Sequence, residues 1–128
     1  LIVNYLGHGN PDVLAHEQMF VLSRDWNKIA NGGRLPLIFT AASQVGPFDR
    51  LTGPTIPEQM VTKSTSGAIG MISATRIGFH TSNMLLAHQF HKQMFSNDIV
   101  TTTEIGCVQF LQTLFTKNLF LTSESRIE

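Results

Sequence analysis

The sequence predicts an α/β fold, a mainly parallel sheet flanked by helices on both faces. Three observations carry that prediction. Short apolar runs rich in β-branched and aromatic residues recur along the chain, at Leu1–Leu6, Leu37–Ala41 and Ala68–Thr75. The first two runs end in loops rich in Gly and Pro. Helical spans separate the runs, and near-continuous apolar strands alternating with helices indicate a parallel sheet covered on both sides.

The elements follow in order. Leu1 to Leu6 reads as a buried strand that stops at the breaker cluster Gly7-His8-Gly9-Asn10-Pro11. Ser23 is placed to cap a short helix through Asp25, Trp26 and Ile29, which Asn31-Gly32-Gly33 terminates. The second strand, Leu37 to Ala41, runs into a Gly- and Pro-rich loop from Ser43 to Pro54. Pro57 to Val61 reads as the first turns of a helix, with Glu58 at the positive end of its dipole. Ser66-Gly67 breaks that helix before the third strand. Ser82 is placed to cap an amphipathic helix with Leu85, Leu86, Phe90, Met94 and Phe95 near helical spacing, ended by Asn97-Asp98. A last helix is predicted from Thr102 or Thr103, with Ile105, Val108, Leu111 and Leu114 as its stripe. Leu119 to Leu121 is a faint strand candidate.

Composition narrows the function classes. The 128 residues suit one domain, and 42% of them are hydrophobic. Charged residues are 14%, against about 25% in an ordinary domain. So few charges suit a piece of a larger domain, or one that packs against neighbours. Nine basic and nine acidic residues balance, and no basic stripe marks a nucleic-acid partner. No apolar run approaches the roughly 18 residues that span a bilayer. A single cysteine, Cys107, has no internal disulfide partner.

Two of the predicted loops carry chemistry-bearing residues. In parallel α/β sheets, sites form at the carboxyl ends of strands. His8 follows the first strand between two glycines, and Ser43 follows the second. If those strands are neighbours, both side chains reach one crevice. A Gly-His-Gly turn or a serine after a strand is, taken alone, common as a plain turn. Their occurrence at successive strand ends sets beside that reading a second one of equal weight, a histidine acid/base facing a hydroxyl nucleophile. Gly9 lets a substrate backbone approach. Its amide, with that of Ser43, forms a candidate oxyanion hole.

Asn4-Tyr5-Leu6-Gly7-His8-Gly9 resembles the histidine motif of the gingipain-type cysteine peptidases. The run from Arg34 to Ser43 resembles the strand leading to that family's nucleophile, and Phe48-Asp49 its type IX secretion sortase subgroup. The run from Ser66 to Arg76 is similar to the strand that follows. The likeness covers roughly Val3 to Phe95. It implies a caspase-like three-layer sandwich, of which residues 1–128 are one part with both flanks missing. It implies His8 as the catalytic histidine, Ser43 as the nucleophile, and Gly9 with Ser43 as the oxyanion hole. For the sortase subgroup it implies protein or peptide substrates, removal of C-terminal secretion signals, outer-membrane secretion components as partners and a cell-surface location. The family's third active-site acid and pocket acid are expected upstream of Leu1.

Position 43 departs from the pattern, which has cysteine there. Serine marks an engineered loss of the nucleophile, a natural inactive homologue that binds secretion partners, or a serine variant. Gln44 also stands where the subgroup has an acid. Arg76, closing the third strand, is a candidate wall of the substrate pocket or an exposed strand-end arginine. Asp49 is expected to orient the loop behind Ser43. His88 and His91, three apart on a helix, lack an acidic or thiol companion nearby, so no metal site or other cofactor is expected from them. The family often carries calcium, for which no ligands are identified. His80 and His16 read as loop histidines, Trp26 as a core anchor, and Cys107 as a buried helix residue.

Overall fold

A computed structural model describes residues 1–95 and the strand at residues 119–122. In chain order the elements are β1 (Ile2–Leu6), the two-residue strands β2 (Val13–Leu14) and β3 (Phe20–Val21), and α1 (Leu22–Asp25), which continues as a 3-10 turn over Trp26–Lys28. Then come β4 (Leu37–Ala41), α2 (Ile56–Thr62), β5 (Gly70–Ala74), α3 (His80–Phe95) and β6 (Leu119–Thr122). The main sheet has the order β1-β4-β5-β6. β1, β4 and β5 are parallel, and β6 adds antiparallel to β5. The predicted α/β class holds.

Period-two alternation sends side chains to two layers. Phe39, Ala41 and Ile72 face α3 and pack on Leu86, Ala87 and Phe90. Met71 and Ile38 face the other way, toward Leu22 of α1 and Ile56 and Val61 of α2. The Phe39 and Phe90 rings stack at 4.7 Å between centroids and 16° between planes. Phe39 is fully buried, so Phe39→Ala is expected to cost about 3–5 kcal/mol of unfolding free energy in urea titration. A loss below about 1 kcal/mol would show that this stack is not the keystone of the α3 face.

Several elements differ from the sequence expectation. α1 starts at Leu22, with Val21 and not Ser23 at its cap. The Val21 N–H donates to Asp25 Oδ2 at 2.9 Å, and Leu22 turns inward. α2 begins at Ile56, because the Glu58 carboxylate accepts both the N–H and the hydroxyl of Thr55, each at 2.7 Å. β5 is shorter than the apolar run: Ala68 still donates to Met60 O in the turn after α2, at 2.8 Å. α3 starts at His80, so that histidine is helical. The buried stripe of α3 is Leu86, Ala87 and Phe90, whereas Leu85, Met94 and Phe95 remain exposed. The β2–β3 hairpin was not expected, since two-residue strands carry no readable period. The helix predicted after Thr102, and Cys107 with it, lie outside the described residues.

Candidate active site

The β1–β4 register brings the two candidate loops together. Leu6 pairs with Ala41, and the Gly7 N–H extends the ladder to Ala41 O at 3.5 Å. His8 and Ser43 thus each lie two residues beyond a paired position, on adjacent strands at one end of the sheet. A Cβ on Gly9 would lie 2.7 Å from Val45 Cγ2 and 3.2 Å from Ala42 Cβ. Only glycine lets the histidine turn sit this close to the serine loop.

The backbone of His8 is tightly held while its ring is exposed. Its carbonyl accepts the Tyr5 hydroxyl at 2.6 Å and the Ala15 N–H at 2.9 Å. Burial raises the Tyr5 phenol above its ordinary pKa, which keeps it protonated as the donor. The Asn10 side chain caps the turn by accepting from Asp12 N–H at 2.9 Å and Val13 N–H at 2.8 Å. Neither ring nitrogen of His8 is hydrogen-bonded to a described residue.

Gly9 pairs with Leu14 in an antiparallel bridge flanked by Asn10 N–H to Val13 O and Ala15 N–H to His8 O, both 2.9 Å. That geometry leaves the Gly9 N–H outside the ladder. Among the described residues, neither it nor the Ser43 N–H has a hydrogen-bond acceptor. Two amide donors at adjacent strand ends suit an anionic oxygen.

The Ser43 hydroxyl does not bond His8. It donates to Gly78 O at 2.9 Å and accepts from Gly78 N–H at 3.2 Å. Next to it, Gln44 takes a left-handed φ of 52°, and its N–H donates to Arg76 O at 3.1 Å. Gly46 N–H donates to Ala74 O at 3.0 Å. The loop that carries Ser43 is therefore laced to the segment leaving β5.

The residue pattern of the whole chain decides the family. The model of peptidase family C25 matches residues 1–126. The chain belongs to peptidase family C25. The fold agrees. The chain is similar to the crystal structure of the Arg-specific cysteine proteinase gingipain R, at 23% identity and a TM-score of 0.65, covering 73% of this chain and 22% of that one. It is similar also to the complex of the pro- and mature domains of RgpB from Porphyromonas gingivalis, at 20% identity and a TM-score of 0.72, covering 91% and 28%. The chain thus spans about a quarter of the length of these solved structures. No curated protein matches it.

In this C25 chain, Arg76 stands at the same sheet end as His8 and Ser43, but its guanidinium is engaged. It donates to both carboxylate oxygens of Asp49, at 2.6 and 3.0 Å, and to Thr75 O at 2.9 Å. Asp49, expected to accept loop amides, is held chiefly by Arg76, which keeps its carboxyl below the ordinary pKa. The pair therefore persists through neutral pH and opens only as pH falls through that lowered value. Sequence reasoning missed a second ion pair, Arg50 Nη1 to Asp12 Oδ1 at 2.8 Å, which ties the serine loop to the histidine loop. An open hollow of about 420 Å³ beside this pair is lined by Trp26 and Gln59 among others, and holds neither His8 nor Ser43.

The remaining candidates lie elsewhere. His91 Nδ1 donates to Ala87 O at 2.8 Å, and its ring meets Phe90 edge-on. His16, His80 and His88 are exposed. Among the described residues no group of three or more His, Cys, Asp or Glu side chains could hold a metal ion. Trp26 borders the α1–α2 core, with Lys63 Nζ 4.4 Å from its ring centroid. No helix among the described residues is long and apolar enough to cross a membrane.

Proposed function

We propose that this protein is a cysteine-type endopeptidase or sortase domain in which position 43 is the nucleophile and His8 the acid/base. We further propose that it removes C-terminal secretion signals from cargo at the cell surface, working with outer-membrane secretion components, and that residues 1–128 are part of one larger catalytic domain. The observation that carries the site is the meeting of the His8 turn and the Ser43 loop through Gly9, with the Gly9 and Ser43 amides unengaged among the described residues. C25 membership supports peptide-bond chemistry. The secretion role rests on the sortase-like sequence around Phe48-Asp49.

The chemistry follows from these parts. The side chain at 43 attacks the scissile carbonyl carbon while its proton passes to His8. The oxygen that becomes negative is held by the Gly9 and residue 43 amides. His8 then protonates the leaving amine as the C–N bond breaks, and the acyl group passes to water or to an acceptor such as surface lipopolysaccharide. With serine at 43 the first step is slow, because the imidazole stabilises a thiolate far better than an alkoxide.

Ser43→Cys is expected to raise cleavage of a peptide spanning a cargo signal junction by at least about 10²-fold, the range of a positioned acid/base pair, and His8→Ala in that background is expected to remove the gain. Product formation followed by mass spectrometry reads both. If Ser43→Cys cleaves no such peptide and takes up no thiol-directed acyl probe, the protein is a binding homologue and the peptidase reading fails.

A further inference from the structure

We infer that the adjacent residues Asp49 and Arg50 are positioning residues that set the nucleophile loop between the two other loops of the site. The inference rests on the proposed roles of His8 and residue 43. Asp49 reaches one way, to Arg76 in the segment leaving β5. Arg50 reaches the other way, to Asp12 in the loop that carries His8. Both partners are distant in sequence, 27 and 38 residues away.

Each anchor sits beside a group that matters to position 43. The carbonyl of Arg76 accepts the N–H of Gln44, and Gly78, two residues on, holds the Ser43 hydroxyl through both its N–H and its C=O. On the other side, Pro11 O accepts the Ile56 N–H at 2.9 Å, so the histidine loop also holds the far end of the serine loop, where it enters α2. Between these points the loop is composed of turn residues, including Gly46, Pro47, Gly53 and Pro54, and its tip residue Leu51 is fully exposed. Val45 and Gly46 are buried at the start of the loop, but from Phe48 to Pro54 it is mostly exposed and has little packing to define its position. The two ion pairs fasten it just before that tip, and Arg50 is further tied to Thr52 Oγ1 at 2.7 Å.

The energetics separate positioning from stability. The Asp49 and Arg76 side chains are 53% and 49% exposed, so their pair contributes little to global stability. Its geometric effect is larger, because a displacement of about 1 Å at a reacting pair changes rates by up to about 10². Loss of the pair is therefore expected to change the reactivity of position 43 while leaving the unfolding midpoint nearly in place.

The test uses the protein carrying Ser43→Cys and the rate of iodoacetamide alkylation at position 43, followed by peptide mapping as a function of pH. A thiol positioned by His8 reacts at lower pH than a free one, and His8→Ala is expected to abolish that advantage. Adding Asp49→Asn or Arg76→Met is expected to lower the neutral-pH rate roughly tenfold and move the profile toward that of a free thiol. The exchange of Asp49→Arg with Arg76→Asp is expected to restore most of it, and Arg50→Gln to weaken it in parallel. If the Asp49 and Arg76 variants alkylate like their parent while His8→Ala does not, the positioning role is overturned and the His8 reading stands. If His8→Ala leaves the profile unchanged, the underlying reading fails and the positioning role with it. If Asp49→Asn unfolds the protein and the exchanged pair restores folding without reactivity, the pair is structural and the inference is overturned.

Discussion

Gly9→Ala is expected to abolish cleavage by the Ser43→Cys protein, lowering kcat/KM by about 10²-fold or more. The added Cβ would meet Val45 Cγ2 at 2.7 Å and Ala42 Cβ at 3.2 Å. Neither neighbour can move aside, since both are fully buried and packed with Leu22, Ile56 and Met71. The histidine turn must then lift away from the serine loop, carrying His8 and the Gly9 amide with it. The turn is short and closed by the Tyr5 and Ala15 bonds to His8 O, so it moves as a unit. Overpacking of this kind costs about 1–3 kcal/mol, which leaves the protein folded. The variant therefore separates activity from folding. Steady-state kinetics beside a thermal melt reads both, and a Gly9→Ala protein retaining kcat/KM within about threefold would mean that the two loops do not work together.

Gly67→Ala is expected to be the most destabilising single-methyl addition, by about 3 kcal/mol, from left-handed strain and overpacking together. Gly67 lies at φ +99°, a conformation that L side chains rarely adopt, and its added Cβ would run into the carbonyl oxygen of Met60. The backbone has no freedom to relieve this. The Asn31 side chain accepts from Gly67 N–H and donates to Gly67 O, each at 2.8 Å, and Ala68 N–H is bonded to Met60 O. Relief breaks the connection that delivers the chain from α2 into β5. Urea unfolding measures the loss, and any remaining activity should track the folded fraction because Gly67 is at the opposite end of β5 from Ser43. A change below about 1 kcal/mol would contradict the strain argument.

The strands were legible because each is a local signal. Ile2–Leu6, Leu37–Ala41 and Gly70–Ala74 are short apolar runs, and the first two lead into Gly- and Pro-rich loops, so His8 and Ser43 could be placed from neighbours in sequence. The helix starts were less so. Asp25 and Glu58 recruit caps by reaching back three or four residues, and that competes with any serine nearby. The apolar pattern of α3 overstated its buried face, because periodicity reports which side chains are apolar and not which of them the sheet covers. The β2–β3 hairpin left no pattern at all.

At the site, residue types and strand ends were readable; partners were not. Nothing near Ser43 in sequence indicates that its hydroxyl meets Gly78, 35 residues on, or that Asp49 and Arg50 diverge to Arg76 and Asp12. By itself the sequence determined an α/β sheet with a histidine and a serine at the ends of successive strands. Only the tertiary structure decided that those strands are parallel neighbours, that Gly9 is the point of contact between their loops, and that charged residues far apart in the chain tie those loops together. The physical reason is range: strand and turn preferences act over a few residues, whereas contacts between loops are set by how the sheet and its two helical layers pack.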